Sequence, residues 1–153
     1  MIVNLLELEL ERDDDLPEGH RFSARSLSRD VGSKLSGMGV YEVEPGQATW
    51  PYHFELAEEE WLIVLDGEVT LRTPDGERRL RAGDVACFPA GTAGAHAIRN
   101  DGDVTARYAM PSSRTPYADG CIYPDSGKFV LRGPGFSHRG FLGDAVPYWE
   151  GEA

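Results

Sequence analysis

Short apolar runs separated by glycine, proline and aspartate fill the chain from Gly39 to Pro111, and their spacing predicts strands rather than helices. Gly39 to Val43 leads into Pro45-Gly46, His53 to Leu56 into an acidic cluster, and Trp61 to Leu65 into Asp66-Gly67. Val69 to Arg72 turns at Thr73-Pro74-Asp75-Gly76, where proline presets φ at the second turn position and glycine closes the turn. Arg78 to Arg81 stops at Ala82-Gly83-Asp84, Val85 to Phe88 at Pro89-Ala90-Gly91, and His96 to Arg99 at Asn100-Asp101-Gly102. Val104 to Met110 completes a series of about eight strands with no helical window between them, which predicts an all-β fold closed as an antiparallel barrel.

The flanks read differently. Leu6, Leu8 and Leu10 alternate with Glu7, Glu9 and Glu11, a pattern that predicts an edge strand with one apolar face. Asp13 to Asp15 and Leu16-Pro17-Glu18-Gly19 break it, and Ser23 to Lys34 has no convincing period and is left irregular. Beyond Pro111 the glycine- and proline-rich tail has too few periodic apolar residues for a core of its own. It is expected to pack irregularly over the barrel, anchored by Ile122, Phe129 and Val130. The expected organisation is one domain over residues 1–153, with a barrel core at about 38–111, an N-terminal arm 1–37 and a C-terminal tail 112–153.

A net charge of −11 argues against nucleic acid as a partner, because phosphate backbones need a Lys/Arg surface. Arg78, Arg79 and Arg81 lie on an alternating strand and read as a solvated face. Neither a signal peptide nor a long apolar run is evident, so no membrane association and a cytoplasmic location are expected. Cys87 and Cys121 form no CxxC pair and are expected to be buried free thiols.

The candidate chemistry centres on Pro51-Tyr52-His53-Phe54-Glu55. Side chains alternate along a strand, so His53 and Glu55 share one face and Tyr52 and Phe54 the other. Imidazole beside carboxylate serves metal ligation, or acid-base chemistry without a metal. Glu60 opens the apolar strand Trp61 to Leu65, an odd place for a solvated acid if it faces inward, whereas Glu58 and Glu59 read as loop acids. Trp61 is expected on the face opposite Glu60, packed against a second sheet, the tail or another subunit. The aromatics Tyr41, Trp50, Tyr52, Phe54, Phe88 and Tyr108 suit a core better than a ligand pocket.

These residues resemble the two motifs of the cupin superfamily. In the first, G-x5-H-x-H-x3,4-E-x6-G, stand Gly46, His53, Glu55, Glu60 and Gly67, with one extra residue before His53 and Glu55 in place of the second histidine. In the second, G-x5-P-x-G-x2-H-x3-N, stand Gly83, Pro89, Gly91, His96 and Asn100, with two extra residues before His96. Further stretches, among them Tyr123-Pro124-Asp125-Ser126-Gly127-Lys128, look like a group of small bacterial single-domain cupins with no agreed activity. The resemblance implies an antiparallel double-stranded β-helix, or jelly roll. It also implies a divalent metal (Mn, Fe, Ni or Zn) on His53, Glu55, Glu60 and His96, with His53, Glu55 and Glu60 as the candidates for catalysis. Carboxylate ligands would shift the preference toward harder ions.

Three readings of function follow: a metal-dependent oxygenase- or isomerase-type enzyme, a metal-free small-molecule sensor or His/Glu acid-base isomerase, and a structural assembly protein. A small-molecule ligand and a homodimer are the expected partners, with pairing through the Leu6 to Leu10 strand as one route to assembly. Other motifs fail. Six residues rather than four separate Gly120 from Gly127-Lys128, so there is no P-loop, and Gly135-Phe136-Ser137-His138-Arg139 lacks the second glycine of a nucleophile elbow. His20 and His138 have no spaced partners and are expected at the surface.

Overall fold

The computed structural model describes residues 2–12 and 14–152; Met1, Ala153 and Asp13, the first residue of the predicted break, lie outside them. In chain order the elements are β1 (Glu11–Arg12), β2 (Phe22–Ser26), the short helix α1 (Leu27–Val31), β3 (Ser36–Val43) and β4 (Phe54–Glu55). There follow β5 (Glu60–Asp66), β6 (Glu68–Thr73), β7 (Gly76–Arg81), β8 (Val85–Phe88), β9 (Ala97–Arg99) and β10 (Ala106–Ser113). The tail adds β11 (Asp119–Tyr123), β12 (Lys128–Gly133) and β13 (Phe136–Phe141). Every strand pairing is antiparallel, and the order is β1-β2-β3-β10-β5-β8 in one sheet, β7-β6-β9 in a second and β13-β12-β11-β4 in a third. The fold is all-β and antiparallel, as the strand spacing predicts, and is the jelly roll that the motif resemblance implies.

Alternation along the strands sets the core. Leu62 and Val64 on β5, Val69 and Leu71 on β6, and Ile98 on β9 are buried, while Trp61 on β5 and the arginines of β7 are exposed. Tyr108, fully buried on the central strand β10, donates its hydroxyl to Thr49 Oγ1 at 2.8 Å. Two motif positions have structural reasons for their identity. Gly67 turns β5 into β6 at φ 70°, where a Cβ would sit 3.0 Å from the Ala106 backbone. Asn100 is fully buried, donates Nδ2 to the Val43 and Val104 carbonyls and accepts from Gly102 N–H, so its amide closes the loop into β10.

Several expectations are corrected. The Leu6 to Leu10 strand does not form: Asn4 caps a turn over residues 5–7, accepting from Leu6 N–H through its side chain and from Glu7 N–H through its carbonyl. Leu5, Leu8 and Leu10 then pack beside Leu27 and Val40, and Leu6 is left exposed. The segment left irregular, Ser23 to Lys34, holds most of β2 and all of α1, which ends at Gly32 in the left-handed region. The tail is not irregular: β11 to β13 form a meander that extends β4, with Cys121 opposite Glu55 and Ile122 opposite Phe54. Its predicted anchors are half-buried, and Gly120 and Cys121 are the buried residues of β11. Cys87 is exposed rather than buried, because Phe88 takes the inward position on β8 and turns Cys87 outward, opposite Trp61. His20 is half-buried, with Nδ1 against the Thr49 carbonyl, whereas His138 is exposed. Among the described residues no helix is long and apolar enough to cross a membrane.

Candidate metal centre

His53 and His96 form an isolated antiparallel bridge, each donating its backbone N–H to the other's carbonyl, at 3.1 and 2.8 Å. Residues directly opposite in such a pair project from the same face, so the bridge brings both imidazoles together, with ring centroids 4.8 Å apart. Each ring is oriented from behind: Nδ1 of His53 meets the Pro51 carbonyl at 2.8 Å and Nδ1 of His96 the Gly94 carbonyl at 2.9 Å. A carbonyl only accepts, so Nδ1 carries the proton in both rings and Nε2 presents a lone pair. Phe88 stacks on His96 at 3.8 Å and Tyr123, from the tail, stacks on His53 at 5.6 Å, which fixes both ring planes.

Glu60 opens β5 on the inward face shared with Leu62, so its carboxylate joins the histidines. The ligand atoms of His53, Glu60 and His96 all lie within 4.8 Å of one another, and the three could hold a metal ion. His96 Nε2 and Glu60 Oε2 are buried without a hydrogen-bond partner and stand 3.6 Å apart, too far to bond each other. Ligands at about 2.0–2.2 Å from one ion span such a gap, and the donor set of two neutral imidazoles and a carboxylate is one that zinc, iron, manganese or nickel accepts. Glu55 stands beside the three, Oε1 3.7 Å from His53 Nε2, and is coupled electrostatically to Asp119 of β11.

Burial dominates the electrostatics. It lowers the pKa of His53, and that of His96 to about 4 with help from the charge of His53, so both rings are neutral at pH 7. It raises Glu60 to about 7, aided by Glu58 and Asp119, and Glu55 to about 8, aided by Glu60 and Asp119. Above the reference value of 4.5, Glu60 up to about pH 7 and Glu55 up to about pH 8 hold protons in the folded chain that they have already released in the unfolded one. Stability of the metal-free protein therefore falls as pH rises from about 4.5 to the two folded-state values, about 7 and about 8, and levels off above them. We expect a melting temperature several degrees lower at pH 8 than at pH 6.5, and a slope largely removed by a saturating divalent ion, which favours ionised carboxylates; differential scanning calorimetry with and without chelator checks both.

Glu55 and Glu60 open onto a cavity of about 450 Å³ also lined by Tyr41, Trp50, Met110 and Asp119, while the histidines are buried and do not line it. Of the aromatics expected in the core, Phe88 and Tyr108 are in it, Tyr41 packs against it while also lining the cavity, and Trp50 lines the cavity. Glu58, expected as a loop acid, is half-buried and also lines the cavity. Sequence reasoning missed Asp119 and Tyr123, which reach the site only because β11 pairs with the strand that carries Glu55.

Residues 39–111 match the family model described as Cupin domain. This region is a cupin domain. A crystal structure from Acidithiobacillus ferrooxidans, provisionally named a sugar phosphate isomerase, superposes on this cupin with a TM-score of 0.81 at 28% identity, over 94% of this chain and 91% of its own. A structure from Silicibacter pomeroyi named a sugar phosphate isomerase of the cupin superfamily gives 0.80 at 23% identity, over 97% and 98% of the two chains. A predicted oxalate decarboxylase from Thermotoga maritima gives 0.62 at 21%, over 75% of this cupin and 100% of its own chain. The last two bear on the fold alone. No curated protein matches this cupin.

Proposed function

We propose that this cupin is a metal-dependent isomerase of small hydroxycarbonyl compounds, with a divalent ion on His53, Glu60 and His96 and with Glu55 as the proton carrier. The observation that carries the reading is the pair of orphaned buried atoms, His96 Nε2 and Glu60 Oε2, 3.6 Å apart, one from the bridge residue before β9 and one from the start of β5. Without a cation both atoms forgo water and gain no partner, at a cost of about 1–3 kcal/mol each, which disfavours the metal-free sensor. A bound ion supplies Lewis acidity toward the substrate's carbonyl and hydroxyl oxygens.

The chain's own residues supply the rest. Glu55 faces the cavity beside the three ligands, and its burial places its carboxyl near the pH at which it both takes and returns a proton. In the isomerisation Glu55 removes the proton from the carbon that bears the hydroxyl and delivers one to the neighbouring carbonyl carbon. The hydroxyl proton moves to the former carbonyl oxygen, so no oxidant or reductant is consumed. The name of the A. ferrooxidans relative supports isomerisation over oxygen chemistry. In a second reading, Glu55 closes the metal shell as a fourth ligand, as the motif resemblance implies.

The direct test incubates protein loaded with Mn, Fe, Ni or Zn with a panel of hydroxyaldehydes and hydroxyketones in deuterium oxide. Proton NMR should show deuterium entering at the carbon next to the carbonyl as the isomer appears. An absence of exchange with every metal and every compound would sink the proposal.

A further inference from the structure

The cavity carries cations that the metal centre does not use. Arg12, Arg25, Arg72, Arg79, Arg99 and Arg107 each hold a carboxylate at 3.1 Å or less. Arg114 and Arg132 line the same cavity as Glu55 and Glu60, and among the described residues neither guanidinium has a hydrogen bond or an ion pair. Both side chains are exposed at the cavity, and the backbone sets where each one starts. Arg114 follows the end of β10, is tied by its backbone N–H to the Leu35 carbonyl at 3.0 Å, and runs across Gly37, where a Cβ would lie 3.0 Å from its Nε. Arg132 lies on β12 directly across from Asp119, yet Asp119 accepts from Ala57 N–H, and the Arg132 guanidinium makes no ion pair with it among the described residues. Glu58 is within electrostatic reach of both arginines and accepts its hydrogen bond from Thr115 N–H instead.

We propose that Arg114 and Arg132 form a clamp for a phosphoryl group, so that the substrate is a phosphorylated hydroxycarbonyl compound with its phosphate at the arginines and its carbonyl end toward Glu55 and Glu60. This rests on the isomerase reading for the position of the reacting carbons, but the clamp itself rests on the arginines alone. Two guanidinium forks, one just beyond β10 and one on β12, offer more donors than one planar carboxylate accepts, whereas the three terminal oxygens and double charge of a phosphomonoester engage both. The tail sheet then serves both ends of the substrate, bringing Arg132 to the cavity and Asp119 and Tyr123 to the metal centre.

The test uses metal-free full-length protein titrated with inorganic phosphate, followed by phosphorus NMR and calorimetry, with acetate as a second probe. Phosphate should bind, more weakly as salt is raised, and the Arg114→Gln/Arg132→Gln variant should lose about tenfold or more of that affinity. Acetate should bind at least about tenfold more weakly than phosphate. The single variants, expected to lose about threefold each, carry the test if the double variant is poorly folded. Undiminished phosphate affinity in the variants, no phosphate binding at all, or equal binding of acetate would overturn the clamp. Metal content, measured on the same samples, reports separately on the isomerase reading and should not change with the arginine substitutions.

Discussion

Replacing both histidines, as His53→Ala/His96→Ala, is expected to reduce bound metal from about one ion per chain to background. The parent protein purified without chelator is the reference, and elemental analysis by mass spectrometry reads both. Loss of outer-shell partners alone weakens metal sites by roughly 10–100-fold, so removal of two direct ligands should exceed that range. The effect extends to stability. An ion present at about 100 times its dissociation constant stabilises the fold by about 2.7 kcal/mol, so chelator should lower the parent's melting temperature and leave the variant's unchanged. Because His96 is stacked on Phe88 in a buried setting, the double variant will also lose packing. Glu60→Gln, which keeps the side-chain volume and removes only the charge, provides a second measurement with the same expected loss of metal.

Glu55→Gln should have the opposite signature: metal retained and catalysis lost. The amide fills the same space and cannot carry a proton, so deuterium exchange into the substrate is expected to fall by about 10²–10⁴-fold. Burial, then the charges of Glu60 and Asp119, hold the Glu55 carboxyl at about 8 in the metal-free chain, and a bound dication would draw it lower. As a base it acts ionised, so the parent's rate should rise with pH through a midpoint at or below about 8, and the residual rate of the variant should lack that limb. If Glu55→Gln instead sheds the metal, Glu55 is a fourth ligand and the proton carrier must be sought elsewhere.

Local signals made much of the fold legible in the sequence. Gly46, Gly67, Gly83 and Gly91 mark turns because each adopts positive φ, and such turns are visible as breaks between apolar runs. The strands between them were legible for that reason, as was the inward face shared by Glu60, Leu62 and Val64. The helix α1 was not, because five residues are too few to display a period and its strand neighbour β2 reads Phe-Ser-Ala-Arg-Ser. The alternation of Leu6, Leu8 and Leu10 misled, since side-chain and backbone capping by Asn4 favours a turn at that point over an extended edge. In the tail, β11 to β13 are stabilised by pairing with β4 and with one another, and long-range pairing leaves little trace in a window of sequence. The half of the site built from motif strands was therefore visible, and the half delivered by the tail, Asp119, Tyr123 and Arg132, was not.

The most direct test of the metal centre is a crystal structure of protein purified without chelator, with anomalous data collected at the absorption edges of Mn, Fe, Ni and Zn. We expect one anomalous peak about 2.0–2.2 Å from His53 Nε2, His96 Nε2 and a Glu60 carboxylate oxygen. An ordered water at that point with no anomalous signal, or a peak bound elsewhere on the chain, would contradict the account.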